Sequence, residues 1–182
     1  MDITIQERKF SVRSDYNIDL PAGPWFARKA FFSVPARIAI TSSAGAPIAT
    51  LQGRWSFFRS RFDFRFTDGR NYQFVCEKRW KQVYTCAGDH ESWQLMRHHG
   101  LRASVFRDDR QIAAIVKNRL ILGAGNRYEI RMNHDADPLV IVSMVLALNT
   151  AQRDDEKRDA VTFEVGSLGP QEKPWDDSWQ PT

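Results

Sequence analysis

The sequence predicts a mainly β protein, in which about twelve strands close into a barrel around one hydrophobic helix at 138–150. Three observations carry that prediction. Short apolar–polar alternations recur at regular spacing through the first 132 residues, with turn residues between them. Twelve Phe, six Trp and four Tyr supply a large aromatic core of the kind strands favour. One later run, Leu139–Leu148, is apolar on every side except at Ser143. A segment with no polar face must be buried on all sides. A barrel of about eight strands is filled by its own side chains, and a larger one has room for a helix.

In chain order, 3–12 and Asp15–Asp19 read as the first strands, and Pro21–Pro24 as a turn. Trp25–Ser33 and Arg37–Thr41 follow, then a turn at Ser42–Gly45. Ile48–Leu51 and Trp55–Phe58 come next. Arg61–Phe66 gives the clearest alternation, with Phe62, Phe64 and Phe66 on one face and Arg61, Asp63 and Arg65 on the other, wet face. Asp68-Gly69 is a tight-turn signal. Tyr72–Lys78, Val83–Cys86, Trp93–Arg97 and Arg102–Phe106 continue the pattern. After the turn Arg107–Arg110 come Gln111–Val116, Leu120–Leu122, the loop Gly123–Asn126 and Tyr128–Met132. Strands that all precede the helix argue against alternating β and α units on a parallel sheet.

The helix opens at Asp137, a capping residue, and Pro138, which suits the first helical position. Val140, Ile141, Val142 and Val145 also suit a buried strand; the cap, Met144 and the Leu-Ala-Leu end favour helix. Its ten-residue apolar run falls short of the roughly 20 residues needed to span a bilayer, so a transmembrane role is not expected. Residues 1–165 are read as the barrel domain. Within them Gln152–Asp159 is a solvated run or a continuation of the helix, and Val161–Val165 a candidate extra strand. Residues 166–182 are read as a flexible tail with Trp175 and Trp179, though two tryptophans also suit docking on the barrel or a partner.

The net charge of +4 favours weak contact with anionic surfaces and is too small to point to nucleic acid. The first ten residues lack the apolar core of a signal peptide, so a cytoplasmic location is expected. A hairpin turning near Lys81 would bring Cys76 opposite Cys86, but two free thiols are the expectation in a reducing compartment.

No catalytic constellation emerges. His98 and His99 are adjacent on a strand and point to opposite faces. Asp89-His90-Glu91 are consecutive and do not converge on one ion, and His134 stands apart. Gly123–Asn126 precedes a strand, whereas a phosphate loop precedes a helix. Asp108-Asp109 is a hairpin turn. No cofactor is expected. The rival reading is an enzyme or small-ligand carrier with a site among Cys76, Cys86, His90 and His98, in the Cys- and His-rich stretch 76–99. The feature that does suggest binding is basic. Arg54, Arg59, Arg61, Arg65, Lys78 and Arg79, with Arg70 and Lys81 nearby, interleave with Phe57, Phe58 and Trp80. Such a rim suits an anionic lipid head group or nucleic acid. The plainer reading makes these residues the wet face of a curved sheet, balanced by Asp63, Asp68 and Glu77.

Several segments, taken in order, carry a resemblance. They are Arg28-Lys-Ala-Phe-Phe-Ser-Val34, the Asp68-Gly69 turn, Ile112-Ala-Ala-Ile-Val-Lys-Asn118, Tyr128-Glu-Ile130 and Asp137-Pro-Leu-Val-Ile-Val-Ser-Met-Val-Leu-Ala-Leu148. Over about residues 5–151 the chain resembles the LURP-one-related family, which is similar to the tubby C-terminal domain and the phospholipid scramblases. The resemblance implies a twelve-stranded barrel on a central helix and a non-enzymatic binding or scaffold protein, with an anionic membrane lipid or a protein as partner. Some relatives bind phosphoinositides, but no lipid-binding motif matches here residue by residue. Three departures stand out: the Trp, Cys and His content of 73–99, Asn149 where an acidic residue is implied, and a tail of about thirty residues.

Overall fold

A computed structural model describes residues 1–10, 13–30, 33, 35–54, 61–78, 83–119, 125–158 and 173–182. Among them are twelve strands and one helix. The strands are β1 (Asp2–Phe10), β2 (Arg13–Asp19), β3 (Trp25–Lys29), β4 (Arg37–Ser42), β5 (Pro47–Arg54) and β6 (Arg61–Phe66), then β7 (Asn71–Lys78), β8 (Val83–Gly88), β9 (Ser92–His98), β10 (Arg102–Arg107), β11 (Arg110–Arg119) and β12 (Asn126–Met132). The helix, α1, is Pro138–Arg158. Each strand pairs antiparallel with the next, and β12 pairs back with β1, so the barrel is closed.

Alternation decides which side chains enter the lumen. Ile3 and Ile5 of β1 face Ile130 and Tyr128 of β12 across the seam, and all four are buried. Phe62, Phe64 and Phe66 of β6 point inward as their spacing predicts. Phe74 lies between Phe64 and Tyr84, with ring centroids 5.8 and 5.3 Å away, and Phe66 meets Tyr72 at 5.2 Å. The β10–β11 hairpin turns on two residues, Asp108 and Asp109, both at positive φ (50° and 62°), in the sense that matches strand twist.

The run at 138–150 is helical, not a strand. Asp137 Oδ1 accepts the backbone N–H of Leu139 at 2.7 Å and of Val140 at 3.3 Å, which satisfies donors the helix itself leaves free. From Leu139 to Ala151 every residue is buried. The helix runs on to Arg158, beyond the expected end at 150. Gln, Arg, Glu and Lys are good helix formers and extend a helix that packing has already nucleated. No helix among the described residues is long and apolar enough to cross a membrane.

Other limits differ. The strand expected over 25–33 ends at Lys29, and the segments 55–58, 120–122 and 161–165 lie outside the described residues. The two cysteines do not face each other. Register sets Cys76 opposite Tyr84 and Cys86 opposite Phe74; both are buried and no disulfide joins them.

Candidate functional site

The basic face begins at the β5–β6 pair, where Arg54 stands directly across from Arg61. Arg65 is four residues along β6 and therefore on the same outer face. Both Arg61 and Arg65 are exposed, and among the described residues neither makes an ion pair. Asp63, between them, departs from the expected wet position: it is buried. Arg54 is the reason, because its guanidinium folds over the carboxylate, with Nε donating to Oδ2 at 2.5 Å and a terminal nitrogen also in contact. Arg54 is thus neutralised by Asp63, while Arg61 and Arg65 keep their charge for solvent. Lys78 closes β7, and Arg59 and Arg79 lie outside the described residues.

Arg70 does not join this face. From the β6–β7 turn it pairs with Asp68 at 2.7 Å and with Asp137, the residue that caps α1, and lies 5.3 Å above the Phe66 ring. The carboxylates of Asp68 and then Asp137 raise its already high pKa. Beside it the Tyr72 hydroxyl donates to Glu91, and burial, more than that partner, pushes the phenol well above its usual range. Arg70 therefore latches a hairpin turn to the start of the enclosed helix.

Among the described residues, the side chains of the Cys- and His-rich stretch are dispersed over both faces of the barrel. Cys76 and Cys86 belong to the lumen core. His90 is exposed in the turn before β9, and His98 points outward from β9, its Nε2 3.0 Å from Ser104 Oγ. Burial, with a smaller contribution from Glu91, pushes the Cys86 thiol well above its ordinary range. A thiol reagent at pH 8 is therefore expected to leave Cys86 unmodified in the native protein and to modify it fully in denaturant. Intact-mass measurement reads the result, and rapid native labelling of Cys86 would restore the reading of a reactive centre in this stretch.

A buried polar network escaped the sequence reading. Glu7, on the inward parity of β1 after Ile3 and Ile5, is completely buried. Its carboxylate accepts from the backbone and side chain of Asn126, both at 3.1 Å, and from Asn149 Nδ2 at 3.5 Å. Asn149 also donates to the Tyr16 hydroxyl at 3.0 Å and accepts from Tyr128 at 2.6 Å. Gly125 allows the close approach: its φ is +76°, and a β-carbon there would sit 2.5 Å from the Glu7 carbonyl oxygen. The available signal was the parity of Glu7, an acidic residue in a lumen-facing place.

Residues 173–182, expected as part of a flexible tail, make contacts with the barrel. Lys173 Nζ reaches Asp109 at 2.6 Å and lies 4.4 Å over the Phe106 ring. That hydrogen bond holds the Asp109 carboxyl below the usual carboxylate range. The pair is thus present through neutral pH and is lost only as pH falls through the lowered value. Trp175 meets His98 edge-on at 5.6 Å and lies 5.3 Å under the Arg102 guanidinium. Arg102 also pairs with Asp177 at 3.1 Å. Thr182 donates from its backbone N to Asn133 at 2.9 Å and accepts from the His134 backbone N–H at 3.1 Å.

No curated protein and no solved structure shows a significant match to this chain. The LURP-one-related family model matches residues 1–149, a span that takes in all twelve strands and the buried part of α1 up to Asn149. That span covers most of the 182 residues and coincides with the closed barrel and its central helix, so the chain belongs to the LURP-one-related family.

Proposed function

We propose that this protein is a non-catalytic binding protein of the LURP-one-related type whose β5–β6 face meets anionic phospholipid head groups at the cytoplasmic surface of a membrane. The observation that carries the reading is the pair Arg61 and Arg65, exposed on one face of β6 with no ion pair among the described residues. Arg54 completes the patch while shielding Asp63, the acidic residue nearest to both. Unpaired guanidinium groups keep their full reach for phosphate oxygens, which they grip with two parallel hydrogen bonds. The net charge of +4 adds a weak long-range attraction.

Liposome sedimentation tests it. At low salt the protein is expected to bind vesicles that contain acidic lipid and to ignore neutral ones. Each basic residue near an anionic surface contributes about 1 kcal/mol. Arg61→Gln with Arg65→Gln is therefore expected to weaken partitioning by about 2 kcal/mol, roughly thirtyfold, with the melting temperature unchanged. Absence of binding to every acidic lipid at low salt would leave this face as the solvent side of the sheet.

A further inference from the structure

Outward residues of a free barrel face are wetted. On β12 they are: Arg127, Glu129 and Arg131 are all exposed, as are Arg61 and Arg65 on β6, where Asp63 alone is covered, by Arg54. The outer face of β9 and β10 breaks the rule. Met96, His98, Ser104 and Phe106 have the parity opposite to the lumen residues Trp93, Leu95, Ala103 and Val105, yet they are only 0–7% exposed. Met96 and Phe106 join Val83 of β8 in an apolar cluster separate from the lumen core. Segment 173–182 lies against this strip.

We infer that the outer face of β9 and β10 is a docking groove for a short acidic peptide bearing tryptophan two residues before aspartate, and that Trp175 and Asp177 occupy it in cis. Three features fit that ligand. His98 and Arg102 form a slot for an indole, one against its edge and the other over its face. Arg102 simultaneously reads the carboxylate two residues on, and the indole N–H donates to that same carboxylate at 2.7 Å, so Trp-x-Asp is recognised as one unit. Met96, Phe106 and Val83 supply the apolar floor. Tryptophan and arginine are the residue types that concentrate binding energy at protein interfaces.

The occupant is held for exchange. Its ion pairs are open to water: Asp177 is 81% and Asp109 93% exposed, and such pairs contribute little individually. None of residues 173–182 joins a strand of the barrel. Belonging to the same chain is what keeps the segment in place, since a covalently joined ligand meets its site at an effective concentration on the order of millimolar. A peptide of the same chemistry from another protein binds only by overcoming that local occupant.

The test uses a fluorescent decapeptide, Lys-Pro-Trp-Asp-Asp-Ser-Trp-Gln-Pro-Thr, titrated into the full chain and into the full chain carrying Trp175→Ala and Asp177→Ala. The emptied variant is expected to bind at least tenfold more tightly than the wild type. Adding Arg102→Ala to it, or making the Trp→Ala change in the peptide, is expected to abolish the gain. A variant that melts like the wild type and binds no better overturns the inference. A second measurement decides the matter if the variant fails to fold. Millimolar isotope-labelled decapeptide added to the wild-type chain is expected to speed amide exchange in residues 173–182 while β9 and β10 stay protected. Unchanged exchange overturns the inference. Neither result depends on lipid, because Arg61 and Arg65 lie three strands away on β6.

Discussion

Phe74→Ala is expected to lower unfolding stability by about 3–5 kcal/mol, the range for deleting a large aromatic from a packed core. Phe74 has no exposed surface and its ring is stacked between Phe64 and Tyr84. The truncation removes the middle ring of a row that crosses β6, β7 and β8. Strands tied on both sides by ladder hydrogen bonds do not collapse readily into the space. Total stability of a domain is about 5–15 kcal/mol, so the loss is about a fifth of it or more. At this chain length the melting temperature is expected to fall by about 10 °C. Phe26→Ala is the control, because Phe26 points outward and is 43% exposed, and it is expected to stay within about 0.5 kcal/mol. A Phe74 variant that melts within about 3 °C of the wild type would mean that this row is not tightly packed.

Asn149→Leu is expected to cost about 3 kcal/mol or more, although it adds apolar volume to an apolar lumen. Asn149 donates to Glu7 and Tyr16 and accepts from Tyr128 and Asn126. Leucine removes one hydrogen bond from each of four groups at once, at about 1 kcal/mol apiece, and bonds in a buried network strengthen one another. Tyr16→Phe removes one hydroxyl from the same network and is expected to cost about 1 kcal/mol. Urea titration of the two variants measures both. An Asn149→Leu protein as stable as the wild type would show that water can enter and replace the lost partners. The network also accounts for a departure in the sequence. Where an acidic residue is implied at 149, the carboxylate here comes from β1, as Glu7, and Asn149 is its donor.

The barrel was legible because its evidence is local. Alternation along Arg61–Phe66, the two-residue turn Asp108-Asp109 and the run Leu139–Leu148, apolar but for Ser143, each need only a few adjacent residues to be read. What escaped depends on register or on distant partners. Asp63 has the parity of a wet residue, and only the placement of Arg54 across the β5–β6 pair explains its burial. Cys76 and Cys86 are offset because the β7–β8 register sets them against Tyr84 and Phe74, two positions away from facing each other, and register is not read from composition. The contacts of 173–182 involve partners up to 77 positions away, as between Trp175 and His98 (175 − 98). Of the basic rim, the sequence indicated Arg61 and Arg65 as exposed, but not that Arg54 is committed to a neighbour or that Arg70 serves the helix cap.

The seam between β1 and β12 joins Ile3 to Ile130, and the helix that fills the lumen is made only after both strands. During synthesis the nascent sheet therefore has two open edges and no interior until residue 151 or so has left the ribosome. Pairing partners this far apart are entropically costly to bring together, and a sheet with bare edges recruits other chains. The order of elements thus makes folding a late, concerted event in which the strands close as the helix becomes available to fill them. A ribosome stalled before residue 137 is expected to carry a chain that is protease-sensitive along its whole length and dependent on chaperones.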